Sequence, residues 1–284
     1  MSDKWNMIVD VANCTNCGLC SLSCQDEFVG NEFPGYSEEM PRRGKNWIEI
    51  QQKVRGQAPM IDVAYLPVMC QHCDDAPCIK AAENDAITKR ADGIVLIDPV
   101  KSKGQKQLVD ACPYGAITWN EEKQVPQSWF FDSHLLDEGW KEPRGQQVCA
   151  TNALIAKKVS DAEMSQIVEK EGLEELHPDL ETKPRVWYKN LGRFQKCFVG
   201  GSVSTEVDGL VDCVEGAMVS LAWDGKETDS MKTDYFGDFR FEDLEPNRGE
   251  CTIIINVEGF DEKHIDVTLD GSYSPSVSLG EIRL

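Results

Sequence analysis

The stretch Cys14-Thr-Asn-Cys17-Gly-Leu-Cys20-Ser-Leu-Ser-Cys24 decides how the first part of this 284-residue chain folds. Two residues separate each of its first three cysteines, and a fourth cysteine follows after three more residues. A loop of that pitch wraps three corners of a cubane 4Fe–4S cluster, and the chain then leaves along a helix that carries the fourth cysteine towards another cluster. Zinc sites usually combine two distant Cys-x-x-Cys pairs. The spacing therefore favours an iron–sulfur site over a zinc site.

A second cysteine motif and two lone cysteines continue this pattern. The run Cys70-Gln-His-Cys73-Asp-Asp-Ala-Pro-Cys78 supplies three more thiols. The fourth ligand of such motifs is the cysteine of a sequence Cys-Pro-x-x-Ala followed by Ile or Leu. Cys112-Pro-Tyr-Gly-Ala-Ile117 fits fully, and Cys149-Ala-Thr-Asn-Ala-Leu154 fits apart from the proline. The run Ala82-Glu-Asn-Asp-Ala-Ile87 is a copy without its cysteine, which indicates an internal repeat in which one ligand has been lost.

The repeat predicts which cysteines share a cluster. The fourth cysteine of this motif normally ligates the other cluster of a pair, so each set of three should borrow a distant thiol. In an alternative assignment, Cys24 is the fourth ligand of the first cluster and Cys149 is not a ligand. The predicted ligand sets are Cys14, Cys17, Cys20 and Cys149 for the first cluster, and Cys70, Cys73, Cys78 and Cys112 for the second.

Two further cluster positions of the repeat lack their ligands. Counting back from Cys112 at the same spacing reaches Ser102, Gln105 and Leu108, and the borrowed position is Ala82. The partners of Cys24 would stand around Trp129, Asp132 and Gly145. We therefore predict two clusters in this chain. Trp129-Phe130-Phe131 is expected to occupy part of the second vacant volume, because packed interiors do not leave such voids open.

Composition excludes several classes of function. The formal net charge is −20 and the isoelectric point is near 4.6, which argues against nucleic acid and against anionic membrane surfaces as partners. No apolar run approaches the ~20 residues that span a bilayer, and the N-terminal residues do not read as a targeting leader. Clustered cysteines are typical of metal ligands in a reducing compartment. These features predict a cytoplasmic location.

Isolated cysteines and histidines carry weaker expectations. Cys197, Cys213 and Cys251 are expected to be small buried hydrophobic residues without a function. His72 lies between two predicted ligands, so it either donates a hydrogen bond to a cluster sulfur or is a surface histidine. His134 shares no ligand spacing with other histidines and is expected to be structural.

The predicted architecture is α+β, in three parts. Residues 1–172 read as a ferredoxin-like iron–sulfur domain with irregular loops and short strands, and residues 173–198 as a connecting arm. The capping-box pattern Ser160-Asp-Ala-Glu163 should begin a helix that Gly172 ends. Residues 199–284 alternate turn signals with short strands, which is typical of an antiparallel β-sandwich.

The order of these motifs resembles the iron–sulfur electron-transfer subunits of molybdopterin oxidoreductases, the double-ferredoxin class. Within that class it is most similar to the subunits of transhydroxylases that act on polyphenols. The last third resembles the small transthyretin-like or carboxypeptidase-regulatory-like sandwich over residues 214–221, 233–241 and 279–284. Besides the cysteine motifs, the resembling stretches are residues 7–14, 33–36, 92–99, 119–122, 133–137 and 182–191.

This resemblance implies a partner and a role. The partner is a large catalytic subunit that holds molybdopterin guanine dinucleotide, and this chain, with two 4Fe–4S clusters, is itself non-catalytic. The family keeps the cluster that Cys24 would serve, so its loss here should slow electron transfer between the two predicted clusters. A transhydroxylation has no net electron flow and tolerates such a break. One alternative function is that of the iron–sulfur subunit of a phenol hydroxylase or catechol dehydroxylase. Two others are a stand-alone electron carrier and a scaffold whose metal clusters only cross-link the fold.

Overall fold

The computed structural model describes residues 3–270 and 276–284. These residues form two compact units. The first unit contains the residues up to Gln51 together with Tyr65–Leu191, and the second contains Gln52–Ala64 together with the residues from Gly192 onward. Within the described residues, no helix has the length and apolar character needed to cross a bilayer.

Short strands dominate the chain. The helices are α1 Leu19–Phe28, α2 Pro77–Ala81, α3 Ser133–Asp137, α4 Arg144–Gln147, α5 Asp161–Glu171 and α6 Gly192–Gln195, with 3₁₀ turns at Lys106–Leu108 and Pro178–Leu180. The strands are β1 Lys4–Asp10, β2 Glu49–Gln57, β3 Met60–Val68, β4 Ile87–Lys89, β5 Val95–Ile97, β6 Thr118–Asn120, β7 Val125–Gln127, β8 Leu154–Val159, β9 Val186–Lys189, β10 Cys197–Val207, β11 Leu210–Cys213, β12 Met218–Trp223, β13 Lys226–Lys232, β14 Asp238–Leu244, β15 Gly249–Asn256, β16 Lys263–Leu269 and β17 Val277–Arg283.

A three-stranded sheet forms the centre of the first unit, in the order β8-β1-β9. β1 pairs with β8 in the antiparallel and with β9 in the parallel direction, so residues of the predicted arm contribute a strand here. The capping box is confirmed, because the Ser160 side chain accepts a hydrogen bond from the Glu163 amide at 3.2 Å. Gly172 ends α5 with a left-handed φ of 62°, a conformation that glycine adopts without steric cost.

The second unit contains two four-stranded sheets around one hydrophobic core. Val199 and Phe239 of one sheet and Leu221 and Ile253 of the other belong to the same buried cluster, so the two sheets pack face to face. The sequence predicted antiparallel pairing throughout, but β17 pairs with β10 in the parallel direction. β17 follows β16, a strand of the opposite sheet, so no tight hairpin constrains its direction.

Two expectations for the lone cysteines are confirmed and one is wrong. Cys197 and Cys251 are buried in the core of the second unit. Cys213 is exposed, because it lies on β11, whose four residues all face solvent and which, within the described ranges, pairs with β10 alone. The sequence pattern did not predict the hairpin of β2 and β3, since polar residues interrupt the alternation of apolar and polar side chains along β2.

Candidate metal centres

Four cysteines of the second predicted set line one cavity of the first unit. Cys70, Cys73, Cys78 and Cys112 converge there from two separate segments of the chain. The space between these side chains is about 400 Å³, including the part open to solvent. The remaining walls are mainly apolar and come from Ala76, Pro77, Val95, Ile97, Pro113, Tyr114 and Ile117, with Gln71, His72 and Ser128.

The local backbone explains how these thiols meet. Cys70 follows the end of β3, and His72 then adopts a left-handed φ of 47° that turns the chain between two cysteines. Pro77 begins α2, where the missing proline amide costs nothing, and this places Cys78 on the first turn. Lys89 donates hydrogen bonds from Nζ to the carbonyl oxygens of His72 and Cys73, at 2.7 and 2.9 Å. These contacts fix the loop.

Burial raises the pKa values of three thiols of this cavity, those of Cys70, Cys73 and Cys78, so they do not ionise readily without a metal. It raises the pKa of Cys70 well above the usual range, and the neighbouring Cys112 and Cys78 raise it further. Burial likewise raises the pKa of Cys78 to about 12. Iron ligands must be deprotonated, and a bound cation supplies the positive charge that makes this possible. The donor set and the apolar surroundings therefore fit a cationic metal cluster.

His72 is buried, so the expectation of a surface histidine is wrong. Its Nδ1 accepts a hydrogen bond from the Val95 amide at 3.1 Å and lies 3.8 Å from the Cys70 Sγ. An Nδ1 that accepts a hydrogen bond carries no hydrogen to donate to the sulfur. Burial also lowers the pKa of His72 to about 3, so the ring is neutral. Its other nitrogen, Nε2, is buried without a hydrogen-bond partner among the described residues.

A second cavity contains the first predicted set. Cys14, Cys17, Cys20 and Cys149 line an empty volume of about 310 Å³. The other lining residues are Thr15, Ile50, Pro67, Thr151, Ala153 and Leu154. Cys24 does not line this cavity. The structure thus brings together the set that includes Cys149 and leaves out the alternative fourth cysteine.

Left-handed residues shape the first cysteine loop. Asn16 and Gly18 have φ values of 56° and 74°, and α1 then begins with Cys20 in its first turn. On the opposite side the Ala153 amide donates a hydrogen bond to the Cys149 Sγ at 3.2 Å, the type of contact that stabilises a thiolate. Cys17 is exposed. One side of this cavity therefore meets solvent.

The geometry differs from that of a mononuclear metal site. Among the residues that the structure describes, no three or more His, Cys, Asp or Glu side chains converge as ligands of a single ion. The four cysteines of a cubane site bind four different iron atoms at the corners of a cube, so they need not converge on one point.

Protein side chains fill the first vacant position of the repeat. Leu108 is fully buried in a cluster with Ile87 and Ile117, against which Ala82 packs. The Gln105 amide bonds the backbone near that alanine. Its Oε1 accepts from the Glu83 amide at 3.0 Å and its Nε2 donates to the Glu83 carbonyl at 3.2 Å. An apolar side chain and an amide thus occupy positions where the repeat would place cysteines.

The second vacant position lies beside Cys24 and is also filled. The Asp132 carboxylate accepts hydrogen bonds from the Trp129 indole at 3.0 Å and from the Arg144 amide at 2.9 Å. It also raises the pKa of the buried Cys24 thiol, after the larger effect of burial. A Cβ atom built on Gly145 would lie 3.9 Å from the Cys20 Cβ, one helical turn before Cys24. Of the counted positions, 132 therefore lies near Cys24, 145 lies near Cys20 on the same helix, and 129 contacts 132.

Trp129-Phe130-Phe131 is buried at this position, as expected. The rings of Trp129 and Phe131 stack with centroids 4.9 Å apart. Burial raises the pKa of Asp132 to about 6, although two donors partly oppose the shift.

The cysteine spacing did not predict the polar network at this site. Besides its bonds around Asp132, it contains an ion pair between Arg144 and Glu27, whose second oxygen lies 2.9 Å from the His134 Nε2. The repeat identifies Asp132 only as a position without its cysteine, and no spacing connects it to Arg144 or Glu27. His134 is buried, which agrees with the expected structural role.

Comparisons with known proteins find relatives among iron–sulfur proteins. Residues 61–159 match the family model described as a 4Fe-4S dicluster domain. The chain is 43% identical over 286 residues to the pyrogallol hydroxytransferase small subunit of Pelobacter acidigallici, covering 99% of this chain and 100% of that one. It is 31% identical to the arsenate respiratory reductase iron–sulfur subunit of a Shewanella species, over 49% of this chain and 55% of that one. It is 30% identical to a tetrathionate reductase component of Salmonella typhimurium, over 66% of this chain and 73% of that one. The first of these alignments runs through both compact units.

Proposed function

This chain belongs to the iron–sulfur small-subunit family that includes the pyrogallol hydroxytransferase small subunit, and from that premise we propose that it serves a molybdenum enzyme acting on polyphenols. The chain carries two 4Fe–4S clusters. The partner is a large catalytic subunit that holds molybdopterin guanine dinucleotide and performs the chemistry on the aromatic ring. The small subunit contributes the clusters and binds no substrate.

Two cavities, each with four cysteines, support this proposal most directly. The first cluster is held by Cys14, Cys17, Cys20 and Cys149, and the second by Cys70, Cys73, Cys78 and Cys112, because each set lines one cavity. A bound cubane gains and loses one electron. The chain's own residues supply thiolates, exclude water with apolar walls and, at Cys149, donate a backbone hydrogen bond to sulfur. Hydrogen bonds to sulfur and solvent exposure both tune the potential of such a cluster.

The exposed side of the first cluster faces the large subunit in this proposal. Cys17 is exposed there, and the apolar side chains of Leu19 and Leu22 on α1 are 39% and 56% exposed. An apolar rim beside a redox centre suits contact with a partner protein, since such contacts exclude water around the electron path.

The remaining parts have supporting roles. We propose a cluster-binding domain at 1–172, a connecting arm at 173–198 and a transthyretin-like interaction domain at 199–284. The two face-to-face sheets around one core support the last of these. A cytoplasmic location follows from the need to keep eight ligand thiols reduced.

Anaerobic purification of the complex tests the function. We expect the chain to co-purify with a much larger subunit that contains molybdenum, and iron and sulfide analysis to give about eight iron atoms per small subunit. A chain that purifies alone, without molybdenum and without a large partner, would contradict the proposal.

A matched pair of variants tests the ligand assignment. Cys149→Ser should lower the iron content from about eight towards about four atoms per chain, because one cubane loses a ligand. Cys24→Ser should leave it at about eight, since Cys24 lies outside both cavities. The opposite result would move the fourth ligand of the first cluster to Cys24.

A further inference from the structure

A continuous series of contacts connects the two cluster cavities through the filled position beside Cys24. His72 lines the cavity of the second cluster, and its ring lies 5.8 Å from that of Trp129 and 5.5 Å from that of Phe131, centroid to centroid. The Trp129 indole then donates to Asp132. On the side of the second cavity, the path thus begins with aromatic rings and continues into a carboxylate.

The same path reaches the first cavity through α4. The Arg144 amide donates to Asp132 at 2.9 Å. A Cβ built on the neighbouring Gly145 would lie 3.8 Å from the Leu154 Cδ1 and 3.9 Å from the Cys20 Cβ, so this residue lies next to both side chains. Cys20 and Leu154 both line the cavity of the first cluster. The filled position therefore touches the walls of both cavities, and it lies where the repeat would place an intermediate cluster.

The side chains at this position cannot replace a cluster as an electron carrier. At the potentials where cubane clusters work, which span roughly −700 to +450 mV for iron–sulfur centres, an indole or phenyl ring neither gains nor loses an electron. An electron that crosses from one cavity to the other must therefore tunnel the whole distance in one step. Tunnelling rates fall exponentially with distance, so the loss of an intermediate carrier slows the transfer steeply.

We propose that the residues Trp129–Asp132 separate the two clusters electronically. This inference rests on the ligand sets of the proposed function. The first cluster exchanges electrons through its exposed side, whereas the second is not reached through the first during turnover. The subunit is then a single-cluster redox partner with a second, isolated cluster. This arrangement suits a reaction without net electron flow and makes the second cluster dispensable as a carrier.

Magnetic interaction between the reduced clusters tests the separation in the native complex. The complex is reduced under argon with a europium(II) chelate, which supplies one electron to each cubane, and electron paramagnetic resonance spectra are recorded as a function of microwave power. We expect two independent spin-one-half signals without splitting or relaxation enhancement. Spectra split or broadened by spin–spin coupling would overturn the proposal.

A rebuilt cluster supplies the matched comparison. The triple variant Trp129→Cys, Asp132→Cys and Gly145→Cys restores the counted ligands around Cys24, and the Gly145 position has room for a Cβ, whose nearest contact would be 3.6 Å. We expect the iron content to rise from about eight to about twelve atoms per chain, with coupled signals in the reduced protein. The same triple variant with Cys24→Ser should stay uncoupled and near eight.

The outcomes separate this inference from the proposed function. Fewer than about eight iron atoms in the native chain would contradict the proposed ligand sets. About eight atoms with coupled native signals would leave those sets intact and overturn only the electronic separation. A folded triple variant that stays near eight would show that the position beside Cys24 does not have the shape of a cluster site, which also overturns the inference. If the triple variant does not fold, the native spectra decide.

Discussion

The two vacant positions of the cysteine repeat are filled with different chemistry. Around Leu108 the repeat has lost all of its cysteines, and an aliphatic core with one amide closes the space. Around Cys24 one cysteine persists, and aromatic rings surround a buried carboxylate. Because a bound cluster cross-links distant segments and contributes folding free energy, each position needs a replacement. The first uses aliphatic packing with a neutral amide, and the second uses aromatic packing with hydrogen bonds to a buried carboxyl group.

Replacement of Trp129 should cause the largest loss of stability at the two vacant positions. Trp129→Ala removes a fully buried ring and one of the two donors to Asp132, and such truncations cost about 3–5 kcal/mol of unfolding free energy. Anaerobic thermal unfolding of the cluster-loaded protein, followed by circular dichroism, measures the change. Trp140→Ala is the matched control, since that indole is 40% exposed. Equal destabilisation by both variants would refute a packing role for Trp129.

Replacement of Leu108 tests the apolar position. Leu108→Ala should destabilise the protein by about 2–5 kcal/mol, because it leaves a cavity among well-packed aliphatic side chains. The loss should not vary with pH, since the two ionisable side chains packed against this cluster, Cys78 and Cys112, are iron ligands in the proposed function and do not titrate in the cluster-loaded protein. Leu22→Ala, on the exposed face of α1, is the control and should change the unfolding temperature little. A destabilisation that depends on pH would contradict the view that this position, unlike the one beside Cys24, is closed without a titrating group.

Titration of Asp132 should distinguish the charged position. Its folded pKa of about 6 lies above the ordinary value of 3.8, so the folded state binds the proton more tightly than the unfolded state. This contribution to stability is fully present below about pH 4 and is lost as the pH rises through 6. A difference of about two pKa units corresponds to roughly 3 kcal/mol. Glu27, His134, Arg144 and Cys24 are the ionisable groups that influence or adjoin Asp132.

Unfolding temperatures of Asp132→Asn and the native protein between pH 5 and 7.5 measure this effect. The native protein should lose stability relative to the variant as the pH rises through that window. Asp137→Asn is the control, because Arg90 lowers the pKa of Asp137. Its contribution is present above the unfolded pKa and is lost only as the pH falls below about 4. Parallel curves for the native protein and Asp132→Asn would contradict the assigned titration.

The cysteine spacing predicted more of the candidate site than of the fold. Thiols separated by two residues must turn tightly around one object, so local sequence limits their geometry, and counting along the repeat also located 132 near Cys24 and 145 near Cys20 on the same helix. The bonds from Asp132 to Trp129 and Arg144 could not be predicted in this way. They depend on how the loop before α3 folds against the start of α4, and the spacing of the cysteines does not determine that loop.

The same limit applies to strand direction and to the buried histidine. The turn signals in residues 199–284 predicted short strands, but the parallel pairing of β17 with β10 depends on a connection between sheets. His72 is polar and stands in a loop, which favours exposure on composition alone. It is buried because the Val95 amide and two aromatic rings of distant segments cover it.

Removal of the Gln105 amide should cause the smallest loss of stability at the two vacant positions. Gln105→Ala removes bonds to the Glu83 amide and carbonyl and to the Lys101 carbonyl, and buried polar groups left without partners cost about 1–3 kcal/mol. Gln105→Glu keeps the shape but cannot donate to the two carbonyl oxygens, and it would bring a negative charge close to them. If the position around Leu108 is closed by neutral groups alone, Gln105→Glu should lower the unfolding temperature more than Gln105→Ala at pH 7.5 and approach it at pH 5. Equal losses at both pH values would mean that this position tolerates a carboxylate as the position beside Cys24 does, and the two vacant sites would then differ only in their apolar residues.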